Sequence, residues 1–424
     1  MNKVAATRDL NLEKLRPELS DQLAQVSRNC TSCQICVHEC GFLTRYGDPK
    51  VLADNYDPAA KNAHIIPFEC SLCELCVAVC PHEVNPVGMF LEMRREAFTR
   101  GEANLPEHKG LRKYEKTGIS KRYSWYTLPQ GCDTIFFPGC ALTGSRAQTT
   151  LKACQHLQQE IPAIGIVLDC CTKPSHDLGD SAFFNAMFGE MKDYLLKHGV
   201  KTIVVACPNC QKVFSECGRE FTTTSIYDLL NTIPLPATSQ ADGTVCIHDP
   251  CVSRFYAATQ DAVRSLLQRK GLEINEPVHT REQTICCGEG GGVKNLSPAS
   301  AAEWENRRIM EANSARIVSY CAACTATFSS RTRSSHILDL LFEPEQTLSN
   351  KASVAKAPLT YFNRLKLKSY LRRHTPEDAV TRERTFQWPA IQQRDNKILS
   401  LRKLLFFGSF LMAALIFISQ AWRQ

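Results

Sequence analysis

The sequence predicts a multidomain fold: a mainly α-helical module, then two α/β domains with parallel sheets that are related by duplication, then a C-terminal single transmembrane helix. Three features of the 424-residue chain lead to this fold class. Two compact cysteine runs lie between amphipathic helical stretches in the first hundred residues. Short β-rich runs then alternate with helical ones, and one long apolar run comes last. This length suits two or three domains with connecting segments.

Cysteine is the most informative residue type, because it occurs 22 times and mostly in ordered groups. Met1 to Ser20 is polar and charged, so we expect no signal peptide and a reducing compartment. Closely spaced cysteines are then better explained as thiolate metal ligands than as disulfides. Four cysteines outside the groups are interpreted as buried small apolar side chains: Cys132, Cys154, Cys217 and Cys246.

The helical module contains two runs of the form C-x2-C-x2-C-x3-C. Their cysteines are Cys30, Cys33, Cys36, Cys40, Cys70, Cys73, Cys76 and Cys80. In two-cluster ferredoxins the fourth cysteine of each run ligates the other run's cluster. We therefore predict a dicluster ferredoxin module with two cubane [4Fe-4S] clusters, in which Cys80 joins the first run's other three cysteines and Cys40 joins the second's. Zinc is the alternative, but zinc sites use cysteine pairs separated by a longer loop.

A five-cysteine motif occurs twice in the following part of the chain. The first copy is Cys140, Cys170, Cys171, Cys207 and Cys210, and the second copy is Cys251, Cys286, Cys287, Cys321 and Cys324. Several of these cysteines follow directly after a predicted strand, and open α/β sheets bind ligands at the carboxyl ends of parallel strands. We therefore predict that both sets bind metal. A catalytic dithiol at Cys207 and Cys210 is the alternative, although the linked Cys-Cys pairs argue against it.

The predicted strands have the spacing of βαβ units with a parallel sheet. They are Thr134 to Phe137, Ile164 to Leu168, Thr202 to Ala206, Val245 to His248 and Arg316 to Tyr320. Pro, Ser, Asp and Gly cluster between Leu235 and Gly243, which marks the seam between the two copies. The predicted boundaries are 1–100 for the helical module, 101–131 for a linker, 132–236 and 243–345 for the cysteine-rich domains, 346–400 for a basic linker and 401–422 for the transmembrane helix.

The C-terminal apolar run predicts a membrane anchor. It extends from Leu401 to Trp422, but its uninterrupted core, Leu404 to Ile418, is shorter than the ~20 residues of a span, so an amphipathic or buried helix is the alternative. Basic residues precede the run and Arg423 alone follows it, which predicts a cell-membrane protein with its bulk on the cytoplasmic side. The basic stretch from Lys351 to His374 is expected to meet anionic lipid, with a merely solvated linker as the alternative, and we expect no nucleic-acid partner.

The cysteine pattern resembles a known family. A single cysteine, a Cys-Cys pair and a C-x-x-C are similar to the cysteine-rich CCG domains of the heterodisulfide reductase catalytic subunit, and the N-terminal runs resemble that enzyme's ferredoxin-type subunit. The resemblance implies one or two noncubane [4Fe-4S] clusters, held by the two five-cysteine sets. Gly288 follows the second Cys-Cys pair as expected, whereas Thr172 follows the first, which leaves the cluster type there open. The architecture is similar also to the iron-sulfur subunit of anaerobic glycerol-3-phosphate dehydrogenase.

The resemblance implies two functions. The first is a membrane-anchored iron-sulfur oxidoreductase subunit that relays electrons between the cubane clusters and the cysteine-rich domains, in a respiratory complex with a flavoprotein, a cytochrome b or another quinone-linked membrane subunit. The alternative is a heterodisulfide reductase-like enzyme that cleaves a thiol-coenzyme disulfide at noncubane clusters. Lys173, His176 and His248 are candidate proton donors near predicted ligands, although ordinary polar roles explain them as well. We assign no catalytic residue.

Overall fold

The computed structural model describes residues 15–352 and 354–385, and those up to Glu383 belong to one compact unit. The N-terminal part is a helical module with α1 (Pro17–Asn29), α2 (Ile35–Glu39), α3 (Gly41–Tyr46), α4 (Pro49–Asp54), α5 (Leu75–Ala78) and α6 (Pro86–Thr99). Asp48 and Asn85 cap α4 and α6 by accepting hydrogen bonds from backbone amides of the first turn. The apolar face of α1 packs into the module's core and buries Leu19 completely.

The first cysteine-rich domain contains a six-stranded sheet. Its strands are β1 (Trp125–Leu128), β2 (Thr134–Phe137), β3 (Gly165–Leu168), β4 (Thr202–Val205), β5 (Thr222–Ser225) and β10 (Val380–Arg382), in the order β10-β1-β3-β2-β4-β5. The strands β2 to β5 pair in parallel, whereas β1 is antiparallel to both β3 and β10. The accompanying helices are α7 (Lys109–Gly118), α8 (Cys140–Ser145), α9 (Ala147–Glu160), α10 (Lys173–Asp177), α11 (Ser181–Lys197), α12 (Pro208–Cys217) and α13 (Ile226–Thr232).

The second cysteine-rich domain contains a four-stranded, fully parallel sheet. Its strands are β6 (Thr244–His248), β7 (Glu273–Asn275), β8 (Arg316–Ser319) and β9 (Ser334–His336), in the order β7-β6-β8-β9. Its helices are α14 (Ala257–Arg269), α15 (Val293–Leu296), α16 (Pro298–Glu311), α17 (Ala322–Phe328), α18 (Ile337–Phe342) and α19 (Pro344–Leu348). The order repeats that of β3-β2-β4-β5, as duplication predicts.

One apolar core joins the two cysteine-rich domains. It contains Phe136 from the first sheet and Ile247 from the second, together with side chains from the helices of both. The Tyr227 hydroxyl lies 3.1 Å from the carbonyl oxygen of Ala206 and 3.2 Å from that of Tyr320. These two residues directly precede the C-x-x-C of each copy, so a single buried tyrosine links the equivalent points of the two domains.

Segments that the sequence assigns to linkers carry regular structure. Residues 101–131 contain α7 and β1, and residues 346–400 contain α20 (Leu359–Arg373) and β10. Arg382 of β10 lies opposite Tyr126 of β1, with its guanidinium 4.3 Å from the centre of the tyrosine ring. The Asn363 side chain of α20 donates a hydrogen bond of 2.9 Å to the carbonyl oxygen of Gly144. Both segments therefore pack on the first cysteine-rich domain.

The predicted fold class is wrong in its last element. In the part of the chain that the structure describes, no helix is long and apolar enough to cross a membrane, and the predicted span at 401–422 lies outside the described residues. The physical reason is length: the uninterrupted apolar run from Leu404 to Ile418 rises only about 22 Å as a helix, against a hydrocarbon core of about 30 Å. The corrected fold class is a multidomain α/β chain with a ferredoxin-like module and parallel sheets.

Candidate iron-sulfur sites

The eight cysteines of the helical module line two separate cavities. Cys30, Cys33, Cys36 and Cys80 line the first, and Cys40, Cys70, Cys73 and Cys76 line the second. The fourth cysteine of each run thus lies with the first three of the other run, which is the arrangement that the predicted crossed pairing requires. Cys76 also borders the first cavity, so the two sites are direct neighbours.

Left-handed backbone conformations occur at the same two positions of each cysteine run. In the first run Ser32 and Gln34 have φ angles of 56° and 68°, and in the second run Leu72 and Glu74 have φ angles of 50° and 61°. Residues other than glycine adopt this conformation rarely, and it concentrates at functional sites. Because the same two positions are affected in both runs, the two loops share one backbone conformation.

The two cavities differ in their exposure to solvent. Cys33 at the first cavity is exposed, whereas Cys70 and Cys76 at the second are buried. Burial, reinforced by the neighbouring sulfur of Cys30, raises the pKa of Cys36 to about 12, and burial raises the pKa of Cys70 to about 12. Thiolate is the form that binds metal ions, so a positively charged metal centre is needed to hold these groups deprotonated.

Each five-cysteine set lies where strands end. In the first domain the cysteines follow β2, β3 and β4, and in the second they follow β6, the long loop after β7, and β8. The helices α12 and α17 begin directly after Cys207 and Cys321, so the C-x-x-C of each copy occupies the first helical turn. The structure therefore places the sets at the carboxyl ends of parallel strands, where ligands of such sheets bind.

One cavity of about 450 Å³ brings the two sets together. Nine of the ten cysteines line it. The tenth, Cys286, lies on the side of the helical module and packs in one apolar cluster with Cys73 and Trp304. The two sets thus face a common space, and the second set also touches the buried site of the helical module.

Hydrogen bonds between thiols connect the sulfur atoms within and across the domains. In the first domain Cys170 donates to Cys140 and, with the charge of Arg364 acting in the same direction, lowers the pKa of Cys140 to about 7. Cys207 accepts hydrogen bonds from Cys210 of its own domain and from Cys321 of the other domain. These bonds hold the pKa of Cys207 well below its ordinary value.

The residues present fit iron-sulfur clusters. Thiolate sulfur is the soft ligand that iron-sulfur centres require, and sulfur is the shared donor of every set. Glycines let the backbone approach closely, since a Cβ atom at Gly139 would lie 3.0 Å from that of Cys207. A Cβ atom at Gly290 would lie 2.6 Å from the carbonyl oxygen of Ser71, in the second run of the helical module.

The fully buried Arg94 of α6 joins the helical module to both cysteine-rich domains. Its guanidinium donates to the carbonyl oxygens of Pro67 (3.0 Å) and Cys70 within the module. It also donates to those of Asp177 in the first domain (2.7 Å) and Gly291 in the second (2.9 Å). One side chain therefore holds three parts of the molecule together beside a candidate ligand.

Arg254, also buried, makes the second such connection. It donates two hydrogen bonds, of 3.1 and 3.0 Å, to the carbonyl oxygen of Cys73. Further bonds reach the carbonyl oxygens of Thr284 (2.6 Å) and Glu282. Nothing in the local sequence distinguishes Arg94 or Arg254 from a surface arginine on an amphipathic segment, so sequence reasoning missed both.

Three further side chains near Cys140 come from segments that the sequence assigned to linkers. Tyr114 of α7 hydrogen-bonds with Cys140, and Arg364 of α20 lies over the Tyr114 ring at 5.9 Å. The neighbouring Glu115 is fully buried, and burial raises its pKa to about 8 although it accepts a hydrogen bond of 3.0 Å from the amide of Ser175. Their position beside Cys140 depends on contacts between segments far apart in the chain, so the sequence alone does not reveal it.

The candidate proton donors have different environments. Lys173 lines the shared cavity, but its ammonium pairs with Asp177 at 2.7 Å. Nδ1 of His176 lies 3.0 Å from the same carboxylate. Burial opposes ionisation of Asp177, yet the charge of Lys173 holds the pKa of that carboxyl well below its usual range. His248 lies close to the sulfur atoms of Cys287 and Cys324.

Comparison with known families defines the class of this protein. Residues 29–85 match the family described as a 4Fe-4S dicluster domain, and residues 134–215 and 245–329 match the family described as a cysteine-rich domain, CCG. The chain is therefore an iron-sulfur protein that joins a dicluster domain to two CCG cysteine-rich domains. It is an oxidoreductase-type subunit related to heterodisulfide reductase and to electron-transfer proteins, as the sequence pattern predicted.

Three relatives illustrate the relationship. A fumarate reductase (CoM/CoB) subunit of Methanothermobacter marburgensis is 24% identical over 74% of this chain and 69% of its own length. A dihydromethanophenazine:CoB--CoM heterodisulfide reductase subunit of Methanosarcina barkeri is 22% identical over 61% of this chain and 71% of its own. A probable membrane-anchored ferredoxin of Chromohalobacter salexigens is 25% identical over 61% of this chain and 44% of its own.

Proposed function

We propose that this chain is an electron-relay subunit in which electrons pass between the exposed end of the helical module and the two five-cysteine sites. The continuous series of cysteine sites carries the proposal. The exposed site at Cys33 borders the buried site at Cys76, and Cys73 of that buried site packs with Cys286. The set that contains Cys286 shares its cavity with the set of the other domain.

In this proposal the helical module holds two cubane [4Fe-4S] clusters in its crossed sets, and the five-cysteine sets hold one or two noncubane [4Fe-4S] clusters. Such clusters supply one-electron steps. The chain's own contribution is to place the sites in contact and to exclude water from the inner ones. Arg94 and Arg254 keep the inner cubane site attached to both cysteine-rich domains.

We infer that the redox partner is a flavoprotein or a membrane cytochrome b that docks at the exposed site. Apolar side chains beside this site are themselves exposed, Ile35 by 43% and Val51 by 46%. A small exposed apolar patch suits a transient electron-transfer encounter. Two of the relatives are by name parts of larger enzymes, which supports assembly with other polypeptides.

The relay is tested by Cys33→Ala in the full chain, prepared without oxygen. EPR after stepwise chemical reduction is expected to show loss of the outer cubane signal. When a protein donor supplies the electrons instead, the inner sites are expected to be reduced more slowly than in the wild-type chain. Cys217→Ala is the matched control, because Cys217 is half-buried and outside all four sets. If C33A contained as much iron and sulfide as the wild-type chain and was reduced at the same rate, the relay would be contradicted.

A second function, reduction of a disulfide formed by small thiols, is favoured by the shared cavity. The polar residues Lys173 and Asn209 lie in its wall beside both cysteine sets, and such groups orient small ligands in binding sites. In that reaction the S–S bond breaks, and two electrons from the relay and two protons complete two thiols. The test is EPR of the oxidised protein with and without added thiol. A paramagnetic species that depends on the thiol is expected, and its absence would exclude this function.

A further inference from the structure

His248 is a buried histidine that the proposed relay does not use. It is the last residue of β6, and its side chain is fully buried. Neither of its ring nitrogens has a hydrogen-bond partner among the residues that the structure describes. By contrast, the buried His336 accepts a hydrogen bond of 3.3 Å from the amide of Leu338. Buried polar groups are almost always paired, so the unpaired imidazole requires an explanation.

The imidazole of His248 packs edge-on against Phe328, with ring centres 4.9 Å apart, and two cysteine sulfur atoms lie beside it. One of its ring nitrogens and the sulfur atoms of Cys287 and Cys324 all lie within 4.8 Å of one another. Donor atoms of a tetrahedral site with thiolate and imidazole ligands lie about 3.5 to 4 Å apart, so a small adjustment completes such a site. Imidazole binds metals through the lone pair of a ring nitrogen, which both nitrogens of His248 have available to offer in one tautomer or the other.

The first domain provides an internal comparison. Its strand β2 ends at Phe137, three residues before Cys140, just as β6 ends at His248, three residues before Cys251. Phe137 is fully buried and packs against other aromatic rings, with its ring centre 5.2 Å from that of Phe214. At this equivalent position the two copies therefore offer different chemistry, an apolar ring in the first and a nitrogen donor in the second.

We propose that His248 is a nitrogen ligand of the metal site in the second cysteine-rich domain, beside Cys287 and Cys324. The second site is then a mixed imidazole and thiolate site, while the first site is ligated by sulfur. This inference rests on the proposed function in one respect, namely that an iron-sulfur cluster occupies the second five-cysteine set.

The experiment uses the full chain, made with ¹⁵N-labelled histidine and loaded with iron and sulfide without oxygen. Iron and sulfide contents are measured first. Pulsed EPR of the paramagnetic protein is then expected to show the ¹⁵N hyperfine coupling of a directly bonded imidazole. The variant H248F, which copies the first domain, is expected to lose that coupling. H176F is the matched control and keeps it, because His176 pairs with Asp177 rather than with a sulfur atom.

Loaded wild-type protein without this coupling, or with only the weak coupling of an imidazole hydrogen-bonded to a thiolate, would overturn the ligand assignment. That result does not depend on the folding of H248F, since it is read from the wild-type chain. If the chain took up no iron and sulfide beyond two cubane clusters, the proposed function of the cysteine-rich domains would fail instead, and the assignment of His248 with it.

Discussion

The two cysteine-rich domains share one frame of strands and differ in what surrounds it. The strands β3-β2-β4-β5 of the first domain correspond in position to β7-β6-β8-β9 of the second. Each five-cysteine set lies at the carboxyl ends of these corresponding strands or in the loops that follow them. Both domains bond to Arg94 of the helical module, but only the first is extended by β1 and β10, and the second adds the contacts of Arg254 and Cys286 with the module. The two domains therefore share one arrangement of strands, and the different segments packed around it make the two sites unequal.

The largest effect is expected at the contact between the second domain and the helical module. Arg254→Leu removes the donor for the carbonyl oxygens of Cys73, Glu282 and Thr284 and leaves them buried without it. Buried acceptors that lose their partners cost about 1 to 3 kcal/mol each, so we expect a loss of about 3 to 5 kcal/mol. Urea unfolding followed by circular dichroism measures it.

Arg45→Gln is the control for this substitution. Its guanidinium lies 2.9 Å from Glu69, but the arginine side chain is 42% exposed, so we expect a loss of about 0.5 kcal/mol or less. Equal losses in R254L and R45Q would mean that the module is not held to the second domain by the buried arginine.

The residue after each Cys-Cys pair sharpens the comparison between the two copies. Gly288 has a φ angle of 90°, and a Cβ atom there would lie 2.4 Å from the carbonyl oxygen of Ala301. Thr172 has a φ angle of 56°, and its hydroxyl donates a hydrogen bond of 2.8 Å to the carbonyl oxygen of Cys171. Glycine is therefore required in the second copy, whereas the first copy holds a β-branched threonine in the left-handed region, where its hydroxyl bond offsets part of the strain.

We expect G288A to destabilise the chain by about 2 to 4 kcal/mol, because the backbone must shift, and T172G to change stability by about 1 kcal/mol or less. Denaturant midpoints of the two variants, measured side by side, test this difference. If both variants were as stable as the wild-type chain, the backbone after the two Cys-Cys pairs would be equally tolerant of a side chain, and the proposed difference would be wrong.

A pH-dependent effect is expected at Glu115, whose buried carboxyl belongs to the surroundings of the first domain. Its pKa in the folded chain is about 8, above the ordinary value of 4.5, so the fold favours the protonated form. The resulting stability is fully present below about pH 4.5 and is lost as the pH rises toward about 8, by at most about 1.4 kcal/mol per pH unit. E115Q cannot ionise and is expected to flatten this decline. Unfolding midpoints between about pH 5 and 8 test it, and an unchanged slope would contradict the assignment.

Much of the candidate site was predictable, because its signals are local. The spacing of the two N-terminal runs predicted crossed sets around Cys80 and Cys40, and the structure brings those cysteines together. The rule that ligands gather at strand ends placed both five-cysteine sets. The shared cavity was not predictable, since it depends on the contact between the domains that Tyr227 makes.

The additions to the first domain were beyond sequence reasoning for a different reason. Tyr126 of β1 and Arg382 of β10 are partners in one ladder, although more than 250 residues separate them. A short isolated strand has no periodic signal that names its partner, so both segments read as linkers. The membrane helix was predicted from an apolar run whose uninterrupted core is shorter than a bilayer span, and no helix of the described residues can cross a membrane, so the fold class is corrected there.

The position of β10 also implies an order of events during synthesis. As the chain is made from its N-terminal end, β1 pairs with β3 early, but its other edge has no partner until residues 380–382 have been made. By then every strand of the second domain has already been synthesised. The first cysteine-rich domain therefore receives its last strand after all strands of the second, and until then the free edge of β1 is open to wrong pairing.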